Sequence, residues 1–232
     1  RIGDPEARLA GFEGTAAETL ERCQAALARI EAGIALLDTN TQAAEAFRFM
    51  NRAMWQQRIH TIYSEALRRG LSPSLEALDV PKDRSWRPFQ LAFILLTPPS
   101  LTDLHHPDRS EAPTALADLL WFPTGGGKTE AYLGLTAYTL GIRRLQGTVG
   151  GRSGMEGVAV LMRYTLRLLT LQQFQRAATL ICACEIIRRE NPAKWGTTPF
   201  RIGLWVGQRT TPNTSEQSDE ALKRDHGQYS RA

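Results

Sequence analysis

The sequence predicts an α/β protein in two parts: an N-terminal helical hairpin over residues 1–80, then over 81–232 the first half of a parallel-sheet domain. Three observations predict it. Between residues 15 and 69 apolar side chains recur at helical spacing. From residue 116 onward short apolar runs alternate with long helix-forming stretches, the order of a parallel sheet. Between the first such run and the first such stretch stands Pro123-Thr124-Gly125-Gly126-Gly127-Lys128-Thr129-Glu130, three glycines running into Lys-Thr.

The first helix is expected over residues 15–38, with Thr15 and Glu18 as a capping box. Its seam is Leu20, Cys23, Leu27, Ile30, Ile34 and Leu37, at alternating spacings of three and four. Asp38-Thr39-Asn40-Thr41 breaks the pattern and offers new caps. A second helix runs to about Arg69, with Phe47, Met50, Met54, Ile59, Ile62 and Ala66 as its buried side, and Gly70 with Leu71-Ser72-Pro73 closes it. The short link predicts an antiparallel pair with the seam packed inside the molecule. Two heptads are too few for a separate coiled coil, the competing reading of that seam. Arg48, Arg52, Arg58, Arg68 and Arg69 give the second helix a basic side, either solvated or facing DNA.

Residues 72–88 read as a Pro- and charge-rich linker, and Trp86–Leu96 as a short apolar helix ended by Pro98-Pro99. Residues 97–113 read as a loop, where His105-His106 lacks further ligands at metal spacing. Leu116–Phe122 is the first expected buried strand. After the glycine loop, Glu130–Leu145 is expected to be a helix, with Tyr132, Leu135, Tyr138, Leu140 and Ile142 as its apolar positions. Residues 146–157 hold five glycines and read as a flexible connection. A strand over Gly157–Met162, a helix over Leu168–Arg189, a strand over Phe200–Val206 and a loop over Gly207–Asn213 complete the expected order.

The glycine run carries the chemistry. Gly125, Gly126 and Gly127 can fold as a nest of backbone N–H groups cradling phosphate, with Thr124 and Glu130 beside it. Lys128 then reaches the β- and γ-phosphates and the Thr129 hydroxyl holds Mg2+, which makes these two the candidate catalytic residues. A strand before the loop and a helix N-terminus after it suit an anion. The strict Gly-x-x-x-x-Gly-Lys-Thr spacing departs at its first position, where Phe122 stands.

Composition sets wider bounds. A net charge of +4 and a pI near 9.2 admit a nucleic-acid partner without requiring one. No apolar run is long enough to span a membrane. Cys23, Cys182 and Cys184 are odd in number and poorly spaced for zinc; Cys182-Ala-Cys184 reads as buried free thiols, which fits a reducing cytoplasm. The chain begins at Arg1 rather than Met, which suggests a segment of something longer.

Pro123–Thr129 resembles the phosphate loop of superfamily 2 helicases, and three further segments share the likeness. Arg87-Pro88-Phe89-Gln90 resembles the upstream Arg-x-x-Gln signature of that superfamily. The resemblance makes Arg87 and Gln90 nucleotide-binding residues, with the Gln90 amide on the adenine edge and Trp86 or Phe89 packing on the base. Met162-Arg163-Tyr164-Thr165-Leu166-Arg167 resembles motif Ia, which implies that Arg163, Thr165 and Arg167 hold a nucleic-acid backbone. Gly207–Asn213 resembles a further backbone-contacting turn, with Arg209 and Thr210 as candidates.

Phe47-Arg48-Phe49-Met50-Asn51, the run 86–93, the run 120–135 and the run 162–173 together are similar to the large helicase subunit family, DrmA, of bacterial DISARM anti-phage systems. The resemblance implies a RecA-like motor domain, ATP and Mg2+ as cofactors, single-stranded DNA as partner, a second subunit DrmB and a bacterial cytoplasmic setting. The acidic motif such a motor needs is not offered by Asp219-Glu220, which has no apolar strand before it, so it is expected beyond Ala232. The segment alone is therefore expected to bind ATP weakly and not to turn it over. Two other classes compete: a non-motor P-loop kinase, and a module that binds nucleotide and a partner without hydrolysis.

Overall fold

The computed structural model describes residues 11–110, 113, 115–123, 125–164, 167–204, 212 and 214–225, with the backbone alone at 167–170 and 224–225. Its order is α1 (Glu13–Thr39), α2 (Thr41–Arg68), α3 (Leu75–Leu78), α4 (Pro88–Leu96), α5 (Pro98–Thr102), α6 (Pro107–Ser110), α7 (Lys128–Gln146), β1 (Thr148–Val149), β2 (Arg152–Ser153), α8 (Arg167–Glu190), α9 (Pro192–Trp195) and α10 (Ser215–Asp225). A 3-10 turn at Pro81–Asp83 precedes α4. Residues 1–200 make one compact unit and 201–232 a second.

At the centre of the first unit lies α2, because small residues let other helices come close. Ala46 and Ala53 are fully buried, and Ala46 faces Gly141 on α7. A Cβ at Gly141 would lie 3.1 Å from the Phe49 ring, and one at Gly134 would lie 3.0 Å from the Trp86 ring. Met50, Ile94, Leu133, Tyr138, Ile142 and Leu180 fill the space among α2, α4, α7 and α8. Phe49 meets Trp195 at 4.5 Å and Phe200 at 5.9 Å between ring centroids, closing one end. On that end the buried Arg144 guanidinium lies 4.5 Å from the Phe200 centroid. The Tyr138 and Thr102 hydroxyls share a hydrogen bond of 2.7 Å, and burial pushes the phenol up to about 12.

This architecture corrects the expected α/β class and its RecA-like parallel sheet. Among the described residues the only sheet is the antiparallel pair β1–β2, with Thr148 opposite Ser153 and Val149 opposite Arg152. Residues 116–122 and 157–162 carry no strand, and neither do 200–204; 205 and 206 lie outside the described residues. Leu119, Trp121 and Leu161 are more than four-fifths exposed. The physical reason is that α2, α7 and α8 pack directly on one another and leave no layer for a sheet between them. A short apolar run has the same composition whether it sits in a buried strand or lies unpaired.

Smaller corrections follow the same lines. The seam of α1 is only partly inside the molecule: Leu20, Leu27 and Ile34 are exposed, Ile30 and Leu37 are half-buried, and Gly33 is the one buried residue of that helix. The helix begins at Glu13 without a side-chain cap, so Thr15 and Glu18 form no capping box. Asn40 does cap α2, its side chain accepting from the Ala43 N–H at 3.0 Å. The expected linker holds α3 and the 3-10 turn, and the expected 97–113 loop holds α5 and α6. The glycine-rich connection closes as a two-residue hairpin turn, Gly150 and Gly151 both at positive φ, the form that suits paired twisted strands. Cys184 is buried, with its thiol pushed up by desolvation, whereas Cys182 and Cys23 are exposed.

In the second unit, α10 begins at Ser215, with the Thr214 hydroxyl accepting from the Gln217 N–H at 3.2 Å. Asp219 and Glu220 lie on this helix.

Candidate functional site

The glycine loop meets α7 directly. Gly127 is the residue before the helix, at φ +90°, a left-handed conformation that needs glycine. Lys128 is the first residue of a 19-residue helix, so the N–H groups of its first turn have no partner within the helix. Gly125 is also left-handed, at φ +80°, and the Gly126 N–H bonds the Pro123 carbonyl at 3.1 Å. Together these make a turn whose donors and helix dipole favour an anion.

The loop is held from outside by the start of α4. The Gln90 side chain is buried; its oxygen accepts from the Arg87 N–H at 2.8 Å, and its Nε2 donates to the Gly127 carbonyl at 2.7 Å. Arg87 Nη1 donates to the Gly126 carbonyl at 2.8 Å. Phe89 stacks on Phe122 at 3.8 Å, with the rings 8° from parallel. Arg87 and Gln90 therefore reach the loop itself, and Trp86 is bonded to Asn51 at 2.7 Å.

Within the loop Lys128 Nζ donates to the carbonyls of Phe122 and, at 3.3 Å, of Pro123. The Thr129 side chain is half-buried at the same end of α7. Glu130 pairs with Arg176 of α8, and its second oxygen is buried with no hydrogen-bond partner among the described residues. Donors from the backbone, an ammonium, a hydroxyl and a spare carboxylate oxygen are a fitting set for a magnesium-bearing phosphate. Thr124 lies outside the described residues.

A cleft of about 700 Å3 begins one turn further along α7, at Tyr132. Arg109, Arg143, Arg152 and Arg163 line it. Its carboxylate, Asp118, is already neutralised by Arg29, which reaches it with two hydrogen bonds of 2.5 and 2.9 Å. Arg109 and Arg143 are fixed on the carbonyls of Ser100 and Ser153, at 3.1 and 3.0 Å. Tyr164, also in the wall, has its phenol pushed up by burial. Such a cleft favours an anionic ligand.

Of the predicted nucleic-acid residues, the cleft contains Arg163. Arg167 begins α8 with only its backbone described, and Thr165, Arg209 and Thr210 lie outside the described residues. Sequence reading missed Arg109, Arg143 and Arg152, because they come from three separate stretches and cluster only in space.

No family model matches the chain. It is 44% identical over 219 residues to the DISARM protein DrmA of Bacillus paralicheniformis. The chain resembles DrmA. The match takes in 93% of the chain, the glycine loop and the cleft included, and 19% of that DrmA, so the chain spans about a fifth of its relative's length. Among the described residues no helix is long and apolar enough to cross a membrane.

Proposed function

We propose that this chain supplies the phosphate-binding part of a DrmA-type, ATP-dependent DNA translocase or helicase of a bacterial anti-phage system. The observation that carries the reading is the Lys128 ammonium set within a glycine loop at the N-terminus of α7. The backbone donors of Gly125 and Gly127, with that of Gly126 on giving up the Pro123 carbonyl, take the phosphates of ATP, and Lys128 offsets charge on the terminal one. Thr129 is the side chain offered to Mg2+, which supplies Lewis-acid polarisation when bound. Arg87 and Gln90 fix the loop's carbonyls, so that its N–H groups face the ligand. Arg163 in the cleft, with Thr165, Arg167, Arg209 and Thr210, contacts the phosphates of a single strand. A second subunit of the DrmB type and a cytoplasmic setting belong to the same proposal.

The test is nucleotide binding. A fluorescent ATP analogue should bind the protein and lose on the order of tenfold in affinity in Lys128→Ala, with an unchanged circular dichroism spectrum. Equal affinity in the variant would sink the assignment. In the same material Arg163→Glu should weaken single-stranded DNA binding and make its salt dependence shallower. A second reading is nucleotide binding without hydrolysis. It predicts no DNA-stimulated turnover in the full-length protein.

A further inference from the structure

The arginine cleft beside α7 holds more than cations. Leu101, Leu104, Leu135 and Val149 line it, and so do two tyrosines, Tyr132 and Tyr164. Both rings are partly open to solvent, at 37% and 36% exposure. Burial pushes the Tyr164 phenol up, Arg176 opposes that shift and Tyr132 adds to it, so the two rings are neighbours. The Phe93 ring meets Tyr132 at 5.8 Å and 87°, an edge contact that sets the Tyr132 plane before anything binds.

The polar groups of the cleft divide into two kinds. Arg109 and Arg143 are held on carbonyls, whereas Arg152 and Arg163 make no side-chain hydrogen bond or ion pair among the described residues. The donors of Thr136, Thr139 and Gln146 are committed to the carbonyls of Tyr132, Leu135 and Thr102, at 2.8, 2.8 and 2.7 Å. What the cleft offers a ligand is therefore aromatic face and positive charge rather than a set of donors for reading base edges. An acidic peptide would match the charge and leave the rings without a flat partner. A duplex would bring phosphates, but its bases are already stacked on both faces. A single strand supplies unstacked bases and phosphates together. Resting on the reading of Arg163 as a strand contact, we propose that the cleft takes an unstacked nucleotide of single-stranded DNA, its base on Tyr132 and Tyr164 and its phosphates on Arg152 and Arg163. Tyr132 stands about one helical turn beyond Lys128 on α7, so the strand is gripped by its bases close to the phosphate loop.

Two oligomers of equal length test this, oligothymidylate and an abasic oligomer with the same number of phosphates. In fluorescence anisotropy the full chain should bind oligothymidylate on the order of tenfold more tightly. Tyr132→Ala with Tyr164→Ala should erase that preference, leave abasic binding as it was, and keep the slope of affinity against salt, since no charge is removed. Tyr132→Phe with Tyr164→Phe keeps both rings and should restore the preference. Equal binding of the two oligomers, weakened alike by Arg163→Glu, overturns the stacking proposal and leaves the strand contact standing. Binding of neither oligomer overturns both. A preference that survives the alanine variant, or that is lost in the phenylalanine variant, also overturns the assignment to these rings.

Discussion

At Gln90 one amide joins two parts of the chain 37 positions apart. Its oxygen closes the start of α4 and its nitrogen holds the Gly127 carbonyl, so the loop's shape depends on a residue that need not touch ligand. Gln90→Leu removes both bonds and leaves that carbonyl without its donor, a loss of about 1–3 kcal/mol in loop stability. Calorimetric titration should then show ATP and GTP affinities falling together. A loss confined to ATP would instead assign Gln90 to the adenine edge. The Arg87-x-x-Gln90 pair was singled out through the family resemblance alone, which gave Gln90 an adenine role and not the bond to the Arg87 N–H that it makes at the start of α4. Its bond to Gly127 was not legible either, since no local rule links a capping side chain to a loop so distant. Lys128 and Thr129 were legible for the opposite reason: loop, lysine and hydroxyl are contiguous.

Among the elements, α1 shows how one residue fixes a helix. A Cβ at Gly33 would lie 1.7 Å from the Leu95 carbonyl oxygen, a clash with backbone that no rotamer can relieve. Gly33→Ala gains about 1 kcal/mol in helix propensity. Forcing α1 off α4 costs more, about 1–3 kcal/mol, and it also pulls Arg29 away from two carboxylates. Denaturant unfolding should therefore show a net loss, whereas Gly14→Ala, with nothing near its Cβ, should stabilise. The seam of α1 was legible as a seam. Its orientation was not, because periodicity says that a helix has an apolar face and is silent on what covers it. The same holds for residues 116–122 and 157–162, apolar runs whose surroundings decide between strand and exposed coil.

Across the whole first unit, acid stability runs through Glu185. Its carboxylate accepts from the Arg188 and Arg189 side chains and from the Phe200 N–H, binding α8 to the segment that closes the core. Arg188 above all holds it at about 2, below its ordinary 4.5. The unfolded chain therefore binds this proton more readily than the folded one. Stability from the carboxylate is complete above about 4.5 and drains away as pH falls toward 2. Unfolding midpoints should drop across that window, and Glu185→Gln should lie lower at neutral pH with a flatter acid limb. The long helices were readable because 3.6-residue periodicity over four or more turns is a strong local signal. The absence of a parallel sheet among the described residues was not, since it follows from close contacts between α2 and α7, such as Gly141 on Ala46, that only the assembled molecule reveals. One more property follows from the Arg29 pairing. This guanidinium belongs to α1, yet one of its partners, Asp118, belongs to the wall of the arginine cleft. Any binding event on α1 that moves Arg29 leaves Asp118 free to compete for the cleft's cations. Linkage then requires the exchange to run both ways, each occupant altering the other's affinity by the same factor.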